Sequence, residues 1–372
     1  MNIAFDAKRA FHNHRGLGNY SRSTIHLLSQ FAPENNYFLF NPSAKENIPF
    51  ELSSNTKIIY PETLLDKISP AYWRSKNCTK QIKSLEIDIY HGLSQEFPQG
   101  IDKIPVKKVV TIHDAIFIRY PELYDSLYCK IFTKKNLYSC AIADKIIAIS
   151  EQTKQDCIDF FGADPNKIDV VYQGCKNIFR KNISDEEVMS VKAAYNLPTN
   201  YLLNVGAIEK RKNIKTIIEA LHIRNIDIPL VVIGNRTKYL EELKMLVHKY
   251  NMESQVIFLY NTNTEDLPAI YKGASIFLYP SIFEGFGIPI LEALCTSTPV
   301  ITSKGSCFRE TGGESTCYVD YNNAEEMAES IDMILSDIEL QKNMMITGLA
   351  HANNFTDEKV ARNLLRVYNS LQ

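Results

Sequence analysis

The feature that most constrains this chain is an alternation of short apolar runs with longer amphipathic stretches, carried through once and then restarted. Residues 2–7, 37–41, 57–60, 87–91, 108–113, 145–150 and 169–172 are strand-like runs rich in Ile, Val, Phe and Tyr. Helix-length segments lie between them: from the loop at 12–21 to about residue 31, over 63–85 with a break at Pro70, over 124–143, and over 151–161 behind Ser150 as N-cap. A polar stretch, 176–199, holds one helix at 185–195 that Pro198 ends. The alternation then resumes with strands at 201–205, 230–233, 256–259, 276–279 and 299–302. Helices are expected at 214–223, 238–250, 267–272, after Gly287, and at 324–335, 338–353 and 357–371, the last capped by Thr356.

Continuous apolar strands separated by helices imply a parallel sheet covered on both faces. The expected fold class is α/β, with two doubly wound parallel-sheet domains facing a central cleft. Ligands belong where the C-terminal ends of the strands meet that cleft. The expected domains are 1–175, a linker at 176–198, a second domain at 199–353 and a terminal helix at 354–372. A length of 372 residues suits two domains better than one.

Composition excludes several classes of function. The net charge of -2 gives no bias towards nucleic acid. Residues 1–176 carry 22 Lys+Arg against 19 Asp+Glu, or +3, which leaves 19 against 24, or -5, for the rest. That excess is too small to decide for an anionic membrane. No apolar run approaches the ~20 residues of a membrane span, so membrane contact is expected only as a peripheral one. The eight cysteines include no Cys-x-x-Cys pair and read as buried thiols in a reducing cytoplasm. No signal peptide is read before the first strand. His12 and His14 have no third partner, so no metal site is expected.

Four motifs carry the chemistry. The first is Glu284-Gly285-Phe286-Gly287-Ile288-Pro289, running into a helix that holds Glu292. Pro289 suits a first helical turn, and the two glycines allow close approach to a ligand. Free amides at that helix start attract a phosphate. The second is Gly206-Ala207-Ile208-Glu209-Lys210-Arg211-Lys212, between a strand and a helix, where Arg211 and Lys212 can clamp a diphosphate. The third is His113-Asp114 at the end of an apolar strand. The fourth is Gly16-Leu17-Gly18, read as a loop after the first strand; it lacks a third glycine at dinucleotide spacing and an acidic strand end near Asn41. Phe117, Tyr120, Tyr124, Tyr128 and Phe132 form an aromatic segment that reads first as core and second as a sugar or lipid platform.

These residues resemble the family 4 retaining glycosyltransferases, whose GT-B fold consists of two Rossmann-like domains. The resemblance runs from the Gly16/Gly18 loop to Glu310, and its most specific element is Pro280-Ser281 followed by Glu284-x7-Glu292. It implies that Glu284 bonds the donor sugar and Glu292 the ribose hydroxyls. It implies that the amides of Gly285, Phe286, Gly287 and Ile288 hold the distal phosphate, with Gly16, Gly18 and Gly206 close by. It implies that the base rests near Tyr260 and Asn261. His113 is then an active-site residue that acts by hydrogen bonding, while Asp114 and Tyr120 face the acceptor. Where the family has an arginine after the glycine this chain has Ala207, and Arg211 is expected to supply the guanidinium. The terminal helix, with its stripe of Val360, Leu364, Leu365, Val367, Tyr368 and Leu371, is expected to cross back to the first domain.

The implied function is retaining, metal-independent hexosyl transfer from a nucleotide-sugar donor, with no cofactor. The resemblance is nearest to bacterial O-antigen and capsule mannosyltransferases. That favours GDP-mannose as donor, a glycan or lipid-linked oligosaccharide as acceptor, and a cytoplasmic location at the inner face of the membrane. The alternatives are a transferase using UDP-GlcNAc or UDP-glucose, and a non-catalytic nucleotide-sugar-binding protein, which Ala207 would suit. Replacement of Glu284 or Lys212 by alanine is expected to cost far more in turnover than in folding.

Overall fold

A computed structural model describes residues 1–44 and 50–372. The chain divides into two compact units, Met1–Gln173 with Asp357–Gln372, and Gly174–Thr356. Each is a parallel sheet covered by helices, as continuous apolar strands require.

The first unit holds β1 (Asn2–Asp6), β2 (Asn36–Phe40), β3 (Thr56–Ile59), β4 (Ile89–Gly92), β5 (Lys107–Ile112), β6 (Lys145–Ala148) and β7 (Ile168–Val170), in the spatial order β3-β2-β1-β4-β5-β6-β7. The second holds β8 (Leu202–Val205), β9 (Leu230–Ile233), β10 (Val256–Leu259), β11 (Ile276–Tyr279), β12 (Val300–Ser303) and β13 (Cys317–Val319), in the order β10-β9-β8-β11-β12-β13. Every pairing between these strands is parallel. The strand order reverses between β1 and β4, and again between β8 and β11. Successive crossovers leave in opposite directions there, which opens a crevice above the C-terminal strand ends.

Local chemistry sets the helix boundaries. The Ser150 hydroxyl accepts from Thr153 N at 3.0 Å, and Gly162 closes that helix in the left-handed conformation. Asp125 accepts from the amides of Leu127 and Tyr128 to start the helix Ser126–Ile142. The 63–85 stretch breaks as Pro70 requires, with the short helix Leu64–Ile68 ending before it and Pro70–Tyr72 beginning on it.

Three expectations need correction. Residues 176–198 are not a detached linker but belong to the second unit, where Ile183 and Val188 pack on Ala269. The short helix Lys8–His12 and the strand β13 were not foreseen in the sequence. Most consequentially, Gly16 and Gly18 are not in a loop: they form the first turn of the helix Gly16–Phe31. A Cβ on Gly18 would lie 1.7 Å from the carbonyl oxygen of Asn13. Gly18 therefore answers to the preceding turn, which runs against the helix backbone.

The terminal helix Asp357–Asn369 lies in the first unit, burying Val360, Ala361, Leu364, Val367 and Tyr368 in the same core as Ile3, Phe5, Ile25 and Leu28. Its Tyr368 hydroxyl is 2.6 Å from Nδ1 of His91, whose Nε2 is 2.8 Å from the Thr111 hydroxyl. Burial, then the neighbouring His113, lowers the pKa of His91 to about 3, so the ring is neutral and both its nitrogens are satisfied by hydroxyls. Gly18→Ala is expected to destabilise the protein by about 1–3 kcal/mol, since neither backbone can yield without unwinding the first turn; urea denaturation of the variant measures the loss.

Candidate functional site

In the second unit the chain reversal between β8 and β11 brings two of the motifs together. β8 ends at Val205 and delivers Gly206 and the short helix Lys210–Lys212; β11 ends at Tyr279 and delivers Ser281 and Glu284. The two loops are tied by backbone: Ile282 N donates to Arg211 O at 2.8 Å.

One atom, Oε1 of Glu284, is the focus. Lys212 Nζ reaches it at 2.6 Å, Arg211 Nη1 at 2.7 Å, the Ser281 hydroxyl at 2.6 Å and the Tyr279 hydroxyl at 3.0 Å. Lys212 Nζ also donates to the Tyr279 oxygen at 2.5 Å. Arg211 is held further by Phe283 O at 2.6 Å and Glu209 at 2.7 Å. The main chain of Glu284 is fixed as well, its carbonyl accepting from Ser306 at 2.9 Å and from the Cys307 thiol at 3.2 Å. The side chains of Arg211, Lys212 and Glu284 are only 15%, 11% and 12% exposed, so these charges interact with little solvent screening.

The protonation states follow from this geometry. Burial opposes the charge on Glu284, but Lys212 and Arg211 outweigh it and depress the carboxyl to about 2. Burial lowers the pKa of Lys212, with Arg211 adding to that and Glu284 resisting it. Burial also works against Arg211, but Glu284 and Glu209 raise its pKa and keep it charged. Arg211 and Lys212, expected to clamp a diphosphate, are at one site and are partnered internally by Glu284. Lys212 has three N–H groups, and two are directed at Tyr279 and Glu284.

Downstream of Glu284, Gly287 is the N-cap of the helix Ile288–Cys295, with φ +97 and no side-chain cap. That left-handed geometry is open to glycine and strained for other residues, and Pro289 fills the first turn behind it. Glu292, on this helix, accepts from the Tyr271 hydroxyl at 3.0 Å. Burial raises its pKa to about 7, against the Tyr271 hydrogen bond and Lys176. The two glutamates of the motif are therefore opposites, one held ionised and one held towards neutrality. Tyr260 and Asn261 follow β10, with the Arg236 guanidinium 4.5 Å above the Tyr260 ring and Asn261 in a left-handed turn at φ 59.

In the first unit His113 follows β5. It is buried, with Nε2 2.8 Å from the carbonyl of Leu93 and the Tyr20 ring edge-on at 4.6 Å. Burial lowers its pKa to about 4, against the Leu93 hydrogen bond. The carbonyl fixes the proton on Nε2, which leaves Nδ1 as the acceptor. Asp114 accepts from Ile116 N at 3.1 Å and so starts the helix Ile116–Arg119, which Tyr120 ends. His12 bonds Asn41 at 2.9 Å and His14 is exposed. Among the described residues no group of three or more His, Cys, Asp or Glu could hold a metal ion.

Sequence reading missed Tyr279 and Tyr271, which lie inside apolar runs and carry no motif signal, and Ser306 and Cys307, which arrive from the loop after β12. It also missed an ionic cluster in the first unit. Asp6, at the end of β1, receives Arg74 through Nε at 3.0 Å; Arg74 also reaches Glu96 at 3.1 Å, and Glu96 receives Lys135 at 2.7 Å. These residues are far apart in sequence, and nothing in their local spacing links them.

Comparison with known proteins bears on the family and the fold. Residues 22–176 match the sequence profile described as Glycosyltransferase Family 4, and residues 185–349 match Glycosyl transferases group 1. The chain belongs to the family 4 glycosyltransferases. It is 28% identical over 288 residues to O-antigen chain mannosyltransferase B of Escherichia coli, covering 76% of this chain and 74% of that protein. It is 27% identical to O-antigen chain mannosyltransferase RfbU of Salmonella typhimurium over 61% of this chain and 60% of the relative. A match to the serotype-specific mannosyltransferase WbdA of Escherichia coli is 26% identical over 73% of this chain but spans only 34% of that longer protein. The fold is shared with sucrose-phosphate synthase from Thermosynechococcus elongatus, at TM-score 0.80 and 20% identity over 100% of this chain and 99% of that one. It is also shared with Anabaena HepE in complex with UDP-glucose, at TM-score 0.79 and 16% identity over 100% of both chains. This fold is GT-B, two parallel-sheet Rossmann-like domains.

The opposed glutamates give a pH prediction. Glu292 has a folded pKa raised from 4.5 to about 7, so its contribution to stability is complete below pH 4.5 and is lost as pH rises through 7. Glu292→Gln should remove that dependence, and the wild type should lose up to about 3 kcal/mol relative to the variant between pH 4.5 and 8, read from urea midpoints across the range.

Proposed function

We propose that this glycosyltransferase moves a hexose, with retention of anomeric configuration and without a metal ion, from a nucleotide-sugar donor to a glycan or lipid-linked oligosaccharide. GDP-mannose is the proposed donor, on the strength of the O-antigen mannosyltransferases among its relatives. The observation that carries the reading is the pair of buried cations, Arg211 and Lys212, converging on Glu284 above the β8/β11 crevice.

A leaving nucleoside diphosphate gathers negative charge as the sugar departs. Two fixed cations in a poorly screened site stabilise that charge more than the ground state, as rate acceleration requires. The uncapped helix start at Gly287 adds peptide dipoles of the same sense. The acceptor hydroxyl then attacks on the face the diphosphate leaves, and the diphosphate oxygen takes its proton. Glu284 is a poor candidate for a covalent or basic role: one of its oxygens already accepts from four donors, and its pKa of about 2 makes it a weak base. Its role in this reading is to hold Arg211 and Lys212 in place and to offer its remaining oxygen to a sugar hydroxyl. Glu292 takes the ribose hydroxyls, the Gly285 to Ile288 turn with Gly206 takes the phosphates, and Tyr260 and Asn261 border the base. His113 offers Nδ1 to a substrate hydroxyl, and Asp114 and Tyr120 are assigned to the acceptor.

The donor reading is tested by thermal shift with GDP-mannose, UDP-glucose and UDP-GlcNAc. A donor at 100 times its Kd stabilises the protein by about 2.7 kcal/mol. GDP-mannose is expected to give the largest shift, and no shift with any nucleotide sugar would sink the proposal. The buried triad also revises the expected cost of mutation. Lys212→Ala should abolish most turnover with modest loss of stability. Glu284→Ala should cost turnover and about 3–5 kcal/mol of stability together, because it leaves Lys212 buried without an anion and Arg211 with Glu209 alone. Adding Lys212→Ala to it should recover part of that loss, measured as a double-mutant cycle.

A further inference from the structure

The helix Ser126–Ile142 has an unusual surface. Leu127, Lys130, Ile131, Lys134 and Leu137 share one helical stripe at spacings of three and four. All five are exposed, and Leu127, Ile131 and Leu137 are 63%, 44% and 44% exposed. The stripe runs roughly 15 Å along the helix. Residues 126–143 hold Lys130, Lys134 and Lys135 and no acidic residue; the nearest acids are Glu122 and Asp125 before the helix and Asp144 after it. The opposite face is spoken for: Asn136, Ser139 and Cys140 are buried, and Lys135 pairs with Glu96.

A second exposed apolar group lies elsewhere in the first unit. Leu64, Leu65 and Ile68 are 75%, 79% and 73% exposed, with Lys67 among them. Asp66 of the short helix Leu64–Ile68 accepts from Asn77 at 2.8 Å, and Arg74, in the same turn as Asn77, pairs with Glu96, which also binds Lys135 of the longer helix. An open depression of about 440 Å³ beside the stripe is lined by Phe117, Ile118, Pro121 and Leu137 together with Lys130 and Lys134.

We propose that this face of the first unit docks on an anionic lipid surface, the lysines meeting phosphate headgroups and Leu127, Ile131 and Leu137 entering the interface. Charge decides the occupant. In a symmetric contact between two copies the same stripe faces itself, setting lysine against lysine with no acid on the stripe to pair. A bilayer of negative headgroups over an apolar interior matches both components of the stripe. No helix among the described residues is long and apolar enough to cross a membrane, so the contact is peripheral.

The test is sedimentation of the full chain with vesicles of phosphatidylglycerol and phosphatidylethanolamine, against vesicles of phosphatidylcholine. Neither donor nor acceptor is present, so failure here leaves the transferase reading untouched. Binding is expected to the anionic vesicles and to weaken with salt. Lys130→Gln with Lys134→Gln should reduce partitioning about thirtyfold, each basic residue near such a surface being worth roughly a factor of five. Leu127→Ser with Ile131→Ser should reduce it at least about tenfold. All four positions are exposed, so melting curves should match the wild type. The proposal is overturned by absence of binding to anionic vesicles, by binding of both double variants equal to that of the wild type, or by self-association in sedimentation velocity that Leu127→Ser with Ile131→Ser abolishes.

Discussion

The second unit depends on one carboxylate oxygen. Glu284 Oε1 takes a lysine, an arginine and two hydroxyls, and every donor comes from a strand end or the loop just beyond it. Two cations this deeply placed cannot both stay charged without an anion beside them. Glu284 supplies that anion, resists the fall that burial imposes on the Lys212 pKa, and fixes both side chains before any ligand arrives. Such preorganisation is what electrostatic catalysis needs, since dipoles and charges that are already oriented need not reorganise during the reaction.

The first unit uses charge differently. Asp6, Arg74, Glu96 and Lys135 form an ionic chain that starts at the end of β1 and ends on the helix Ser126–Ile142. The chain fixes that helix on its inner side, while the outer side stays apolar and basic. His113 and His91, close together above the same sheet, are both driven neutral by burial. Each is held by groups outside its own strand, so the rings are rigid acceptors and donors and do not carry charge. The terminal helix contributes to this through Tyr368.

Much of the candidate site was legible in the sequence because its geometry depends on local spacing. Gly287 has to be glycine where the turn needs φ +97, Pro289 has to follow in the first turn, and Glu292 has to sit on the helix they begin. Arg211 and Lys212 were legible as cations between a strand and a helix. What could not be read was their pairing. The expectation that both would wait for a diphosphate ignored Glu284, because Lys212 and Glu284 are 72 residues apart and sequence shows no contact. Gly18 shows the opposite error. A real glycine signal was assigned to a ligand loop, whereas the close approach is to the carbonyl of Asn13 within the chain itself.

The sequence by itself determined the α/β class, the single restart of the strand–helix alternation, most helix limits and the family. The first three rest on periodicity, caps and backbone requirements that act over a few residues, and the family rests on the resemblance of its motifs. Only the tertiary structure decided that the strand order reverses between β8 and β11, and so that the loops carrying Lys212 and Glu284 share one crevice. It alone decided that Glu284 is ionised while Glu292 is held towards neutrality, since a carboxyl's pKa is set by its desolvation and its charged neighbours. It decided as well which face of the Ser126–Ile142 helix lies in the core, because that face carries Asn136 and Ser139 while Leu127, Ile131 and Leu137 are exposed, so hydrophobicity does not choose between them.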